Sequence, residues 1–263
     1  MDTRLRGKTA LVTGGSSGIG KGIALALAQE GVNLAIASRN PDEAALDEVR
    51  AEGVDVLKIS ADVSKEEDVE RMVSEAISGL GHLDFYINNA AWTWHQPFTK
   101  IETDSWYKTL NTNLSSAMWA ARAVSKHMIS RGGGSSVIIG STVRFFPAFK
   151  ETCYRISKMG LRMLMQNLAI ELAPHGIRVN MVTPGHFKTR MTGGIPEEIE
   201  DRLRDVIAAH RFGEPIEVGY AVAFLLSDRL SGYTIGGDLV IDGGLTLNPL
   251  TFMTPDEIRY INL

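Results

Sequence analysis

Short apolar runs alternate with stretches of helical period along most of the chain. Thr9–Val12 is a β-rich run. Ile19–Glu30 has the 3.6-residue period of an amphipathic helix, and Gly31 stands where a helix end favours positive φ. Val32–Ala37 is apolar again. Asn40-Pro41-Asp42-Glu43 opens a second helix, with Pro at a first-turn position and acids near the positive end, and Gly53 stops it. Val54–Ile59 is strand-like. Ser64 with Glu67 spells a capping box for a helix running to about Ser78. Leu83–Asn88 is a strand. A long helix is predicted from about Thr103 to Arg131, broken by Gly132-Gly133-Gly134, then a buried-type strand at Val137–Gly140. A second long helix covers about Thr152 to Ala173 and ends at Pro174-His175-Gly176. Strands at Ile177–Val182 and Leu239–Ile241 complete the series.

Strands that are continuously apolar, rather than alternating, belong to a parallel sheet covered on both faces. Right-handed crossovers then predict an α/β fold: a doubly wound, Rossmann-type open sheet in three α/β/α layers. One domain over 1–263 is expected. The rhythm breaks between Pro184 and about Pro215, where Gly193-Gly194 is flexible. That places a substrate-covering loop at about 186–212. A tail at about 245–263 carries Thr254-Pro255-Asp256-Glu257, a further helix start.

Composition narrows the function classes. The 263 residues carry 27 Lys and Arg against 31 Asp and Glu, a net charge of −4, which argues against nucleic acid as a partner. A single Cys permits neither an internal disulfide nor a thiolate zinc cluster, and the six His show no His-x-x-x-His pair, so no metal is expected. Met1 to Lys8 lacks an apolar signal core, and no apolar run approaches the ~20 residues of a membrane span. A cytoplasmic setting without membrane attachment is expected.

Thr13-Gly14-Gly15-Ser16-Ser17-Gly18-Ile19-Gly20 follows the first strand and opens the first helix. Free N–H groups and a positive helix end make such a turn an anion site, and missing side chains admit a diphosphate. Gly14, Gly18 and Gly20 keep a Gly-x-x-x-Gly-x-Gly spacing. With this loop, Asn88-Asn89-Ala90-Ala91, Tyr154-x-x-x-Lys158 and Pro184-Gly185 in order, the chain resembles the short-chain dehydrogenase/reductase family in its simple form. The resemblance runs from Thr13 through Asp242-Gly243-Gly244. Ala91 replaces the family's usual Gly.

Cofactor choice turns on the second strand's end, where an acid would bind a ribose 2′-hydroxyl. Ser38 occupies that place, and Arg39 beside it could pair with a 2′-phosphate. NADP(H) is therefore expected in preference to NAD(H), although Ser17 stands where some NADP-dependent relatives carry a basic residue. The resemblance implies that Gly14, Ser16, Ser17, Gly18, Ile19 and Gly20 hold the diphosphate side. It also implies that Asp62 and Val63 contact the adenine, and that Asn89 and Ala90 line the cofactor. Pro184, Gly185 and Phe187 (through its backbone) would sit at the nicotinamide, and Thr189 would contact the diphosphate or the carboxamide.

Tyr154 and Lys158, four residues apart, share a helical face. The resemblance joins them to Ser141 and Asn113 as a catalytic tetrad. Tyr154 would exchange the proton, and Lys158 would activate it and bind the nicotinamide ribose. Ser141 would hold the substrate oxygen, and Asn113 would help hold a relay water. A free phenol titrates near ~10. Bringing it to neutrality takes about 4 kcal/mol, which an ammonium ~4 Å away supplies at an effective dielectric of ~20, helped by the positive nicotinamide in the oxidised complex. Cys153 reads as packing, with no local base to activate it.

Pocket residues should follow the fourth, fifth and sixth strands. Trp94, Arg144 and His186 are the candidates, within Trp92-Thr93-Trp94-His95, Thr142-Val143-Arg144-Phe145-Phe146 and His186-Phe187. Arg144 would favour an anionic or polyhydroxylated substrate, or would point to solvent while the Trp residues seal the rim. The expected activity is hydride transfer between NADP(H) and a secondary alcohol or ketone. A sugar or polyol dehydrogenase acting oxidatively is the close alternative, and a non-catalytic dinucleotide sensor is the alternative from another class. By resemblance the assembly is a homotetramer, with a dimer as runner-up. Trp106, Trp119 and the stretch Met159–Met165 read as core or interface.

Overall fold

The computed structural model describes residues 2–189 and 197–247. Seven strands build one sheet: β1 (Thr9–Thr13), β2 (Asn33–Ser38), β3 (Val56–Ser60), β4 (Phe85–Asn88), β5 (Gly134–Ile139), β6 (Ile177–Pro184) and β7 (Asp238–Ile241). The order is β3-β2-β1-β4-β5-β6-β7, and every pairing is parallel. β1, β4 and β6 are buried along their whole length, which is why they read as unbroken apolar runs.

The helices are α1 (Gly18–Gln29), α2 (Glu43–Arg50), α3 (Glu66–Leu80), α4 (Thr103–Leu110), α5 (Ser116–Ser130), α6 (Thr152–Leu172), α7 (Glu197–Val206), α8 (Pro215–Leu226) and α9 (Asp228–Ser231). On one face, Ile23 and Leu27 of α1 and Val218 and Val222 of α8 pack on Val12, Ile36 and Val182 of the sheet. On the other, Met72 of α3, Val124 of α5 and Leu161 and Met165 of α6 cover Leu11, Ile138 and Met181. α1 and α8 cross almost backbone to backbone. A Cβ on Gly22 would stand 2.3 Å from the Pro215 carbonyl carbon, and one on Gly219 would stand 2.6 Å from the Gly22 oxygen.

One buried cation closes the end of α8. Arg178 of β6 donates to the carbonyls of Leu225 at 2.7 Å and Leu226 at 2.9 Å, and pairs with Asp228 at 2.8 Å. It answers carbonyls that the helix leaves without partners.

Three local expectations change. Pro41 is not in the first turn of α2; Asp42 caps that helix by accepting from the Ala44 N–H at 3.2 Å. Ser64 makes no capping box, because its hydroxyl donates to Asp62 at 2.8 Å and Lys65 occupies the cap position of α3. The long helix from Thr103 is continuous through α4 and α5 but widens into a π turn at Asn111–Ser115. A hydrophobic period averaged over several turns does not register such a turn. Gly193-Gly194 and the predicted tail helix lie outside the described residues. Among the described residues no helix is long and apolar enough to cross a membrane.

The strand order reverses between β1 and β4. In open parallel sheets the crevice beyond the strands' carboxyl ends at such a point is where ligands bind. The loop after β6 is anchored there. Phe187 is buried and pairs with Gly213, and Phe212 packs with Ile207 and Leu245.

Candidate active site

Loops at the carboxyl ends of β1 through β6 enclose a cleft of about 700 Å³. Gly14, Ser16, Ser17, Gly18, Ile19 and Gly20 line one part of it. Ser17 caps α1 with extended backbone and no side-chain bond, so the helix's first N–H groups are not spent on it. A Cβ at Gly20 would stand 2.0 Å from the Gly14 carbonyl oxygen. Asn89 braces the same turn, donating from Nδ2 to the Thr13 oxygen at 2.9 Å, while Thr13 Oγ1 accepts from the Asn89 and Ala90 N–H groups. This side-chain-free cradle over a helix N-terminus fits a dinucleotide's diphosphate.

Next along the wall, Ser38 Oγ is 2.9 Å from Ser16 Oγ, and the exposed Arg39 follows. No carboxylate stands at the end of β2. Asp62 and Val63 line the cleft beyond, with Asp62 Oδ1 accepting from the Ser64 N–H at 3.1 Å. Pro184, Gly185, Phe187 and Thr189 form the opposite wall.

Tyr154 and Lys158 project from one face of α6 into this cleft, and Ser141, at the end of β5, meets them there. Ser141 starts the 3-10 turn Thr142–Phe145, and its Oγ accepts from the Val143 N–H at 3.4 Å. Burial pushes the Tyr154 phenol up to about 12, opposed by a hydrogen bond from Ser141 and assisted by the negative charge of Glu151. Burial also pushes the Lys158 ammonium down to about 8. Lys158 Nζ donates to the Ile139 carbonyl at 2.9 Å and stands 5.8 Å from the Tyr154 ring centre. In the protein without a dinucleotide, desolvation is the largest influence on both groups, raising the phenol and lowering the ammonium.

Asn113 sits apart from the other three. The π turn carries it into the protein, where Oδ1 accepts from the Trp92 N–H at 2.7 Å. Its Nδ2 donates to the Trp92 oxygen at 2.9 Å and to Ser157 Oγ at 3.0 Å. It fixes the loop after β4 rather than lining the cleft.

Two of the three expected pocket residues are misplaced. Arg144 turns away from the cleft: its guanidinium pairs with Asp238 of β7, contacts Thr183 Oγ1 at 3.5 Å and stacks on Phe145 at 4.0 Å. A buried guanidinium needs a carboxylate, and Asp238 supplies it. Trp94 lies outside the cleft, half exposed and stacked on Trp92 at 6.1 Å; Trp92 lines the wall instead, under the Lys108 ammonium at 4.5 Å. His186 does line the cleft, and burial lowers the pKa of its imidazole. Cys153 is buried, its thiol pushed up by burial.

Sequence reasoning missed Glu151 and Arg155, which flank Tyr154 in the cleft wall. Arg155 pairs with Glu151 at 2.7 Å and donates to the carbonyls of Val143, at 2.6 Å, and Phe146. An acid at a helix start passes for dipole compensation, and that obscures its second role. Among the described residues no three potential metal ligands gather.

Residues 14–246 match the family model described as Enoyl-(Acyl carrier protein) reductase. A 3-oxoacyl-(acyl-carrier-protein) reductase of Staphylococcus epidermidis is 34% identical over 241 residues, covering 90% of this chain and 98% of the relative. Carbonyl reductase family member 4 of Xenopus laevis is 38% identical over 243 residues, covering 92% and 99%. The crystal structure of a short-chain type dehydrogenase/reductase from Mycobacterium marinum superposes with a TM-score of 0.87 at 33% identity, covering 93% of this chain and 98% of that one.

Proposed function

The chain belongs to the short-chain dehydrogenase/reductase family of oxidoreductases, which act on CH–OH or carbonyl substrates with NAD(P)(H), and we propose that it is an NADP(H)-preferring alcohol dehydrogenase or carbonyl reductase acting on a secondary alcohol or ketone. The observation that carries this reading is the shared cleft. Tyr154, Ser141 and Lys158 line the same cavity as the glycine turn.

When bound, the dinucleotide supplies or accepts the hydride. The protein's own groups handle oxygen and proton. Ser141 donates to the substrate oxygen as charge develops on it. Tyr154 delivers its phenolic proton to that oxygen in reduction, or removes it in oxidation. Burial holds the phenol in its protonated form, the form that donates in reduction. Lys158 brings positive charge to the same corner, and Asn113 holds the Trp92 loop that closes it. Gly14, Ser16, Ser17, Gly18, Ile19 and Gly20 would hold the diphosphate, Asp62 and Val63 would contact the adenine, and Asn89 and Ala90 would line the cofactor. Pro184, Gly185 and Phe187 would orient the nicotinamide, and Thr189 would contact its carboxamide or the diphosphate.

The absence of a carboxylate at Ser38, with Arg39 beside it, supports NADP(H) over NAD(H). A homotetramer is supported by apolar side chains exposed on α6, among them Met159, Met163 and Ile170. The intact set of reacting groups counts against a non-catalytic sensor. Oxidation of a sugar or polyol is the second reading, favoured by the polar groups around Glu151. The test is cofactor absorbance followed in both directions with a panel of ketones and alcohols, using NADPH and NADH in turn. Turnover that depends on Tyr154 is expected; tight cofactor binding without any turnover would leave the sensor.

A further inference from the structure

The cleft holds a charge that the proton-transfer chemistry does not use. Glu151 precedes Tyr154 by three residues and lies half-buried in the cavity wall. Its Oε2 stands 2.7 Å from Arg155, whose guanidinium also serves the Val143 and Phe146 carbonyls, yet this oxygen is buried and makes no hydrogen bond among the described residues. Among the described residues its Oε1 meets only the Nδ1 of His95, at 3.7 Å, beyond hydrogen-bond length. That oxygen keeps acceptor capacity.

Its neighbours are also unspent. Thr93 Oγ1 lines the same cavity, buried and without a hydrogen-bond partner. A buried hydroxyl left unpaired costs stability, so its persistence suggests a partner arriving with a ligand. His186 closes the far side. Burial lowers the pKa of its imidazole against the opposing pull of Glu151, so near neutral pH it presents one donor and one acceptor. Glu151, Tyr154 and His186 line one cavity, with Glu151 one helical turn before Tyr154.

These groups select by sign and by pairing. A carboxylate at this spot repels a substrate carboxylate or phosphate. An acyl chain would leave a carboxylate oxygen and a hydroxyl buried and unpaired. A hydroxyl on the carbon next to the reacting one would satisfy them.

We propose that Thr93, His95, Glu151 and His186 form a hydroxyl-binding subsite beside Tyr154, and that the substrate is a neutral polyhydroxylated ketone or the corresponding polyol. This rests on the oxidoreductase reading and narrows its substrate class.

The experiment compares kcat/KM for three probes on the full-length enzyme: a pentitol or hexitol series, 2-pentanol, and gluconate. The wild type should prefer the polyols. Glu151→Gln and Glu151→Ala should lower the ratio of polyol to 2-pentanol efficiency about ten- to hundredfold, mainly through KM, as expected for a hydrogen bond to a charged group. Glu151→Gln should also raise gluconate relative to the polyols, because the repulsion is lifted. Thr93→Val removes only the hydroxyl and should lower the same ratio several-fold, which keeps the test open if the Glu151 variants fold poorly. Equal losses for polyol and 2-pentanol in both positions would overturn the subsite and leave the oxidoreductase reading standing, as would a wild type that prefers 2-pentanol. Cofactor binding without turnover of any alcohol or ketone would overturn both.

Discussion

The ammonium of Lys158 lies 5.8 Å from the centre of the Tyr154 ring and donates to the Ile139 carbonyl at 2.9 Å. Both side chains lie one helical turn apart on α6, and both are desolvated, which pushes the phenol up to about 12 and the ammonium down to about 8. Tyr154→Phe removes the proton and nothing else in the wall. Turnover is expected to fall by at least ~10², with the dinucleotide dissociation constant, measured by fluorescence titration, within about twofold of wild type.

Burying Lys158 costs stability that function retains. Its folded pKa of about 8 lies below the ordinary ~10.4, so between those values the unfolded chain binds more protons than the folded one. Stability therefore rises with pH across that window, and the full cost is present below it. Lys158→Met should stabilise the protein near neutral pH by up to about 3 kcal/mol while abolishing turnover. The gain should shrink as pH climbs from ~8 toward ~10.4. Urea unfolding of both proteins at several pH values measures the difference.

Arg144 belongs to the fold. Its guanidinium is inside the protein against Asp238, tying the turn that follows Ser141 to β7. Arg144→Ala takes the nearest cation from a buried carboxylate, leaving it Arg162 at 3.5 Å and the Thr183 hydroxyl, which donates to it at 2.6 Å. A loss of about 3 kcal/mol is expected, with KM for acidic and sugar substrates changing by less than about twofold. A large KM change at unaltered stability would return Arg144 to the pocket.

Cofactor preference should follow a single side chain at the end of β2. Ser38→Asp places a carboxylate against Ser16 Oγ, where it would repel a 2′-phosphate and accept from a 2′-hydroxyl. The ratio of kcat/KM for NADPH to that for NADH is expected to fall at least tenfold. Arg39→Ala should lower the same ratio less, through loss of one charge-assisted bond.

Gly22→Ala tests the crossing of α1 and α8. In a free helix this change gains about 1 kcal/mol. Here the new Cβ would stand 2.3 Å from the Pro215 carbonyl carbon, so a net loss of about 1–3 kcal/mol is expected. Thermal unfolding gives the sign directly.

Local chemistry made much of this molecule legible before any coordinates. Strand and helix period, the Gly14-x-x-x-Gly18-x-Gly20 turn after an apolar run, and four-residue spacing on a helix are properties of neighbours along the chain. The sheet, the cradle and the common face of Tyr154 and Lys158 could therefore be foreseen. The partners of Arg144 and Asn113 are remote in the chain. Asp238 lies 94 residues from Arg144, and Asn113 reaches Trp92 across 21. Such pairings depend on which buried polar group finds a partner once the layers close, and no periodicity encodes that. Glu151 shows both sides. At the start of α6 it serves the helix dipole, and only the folding of the loops after β4 and β5 around it turns the same carboxylate toward a substrate.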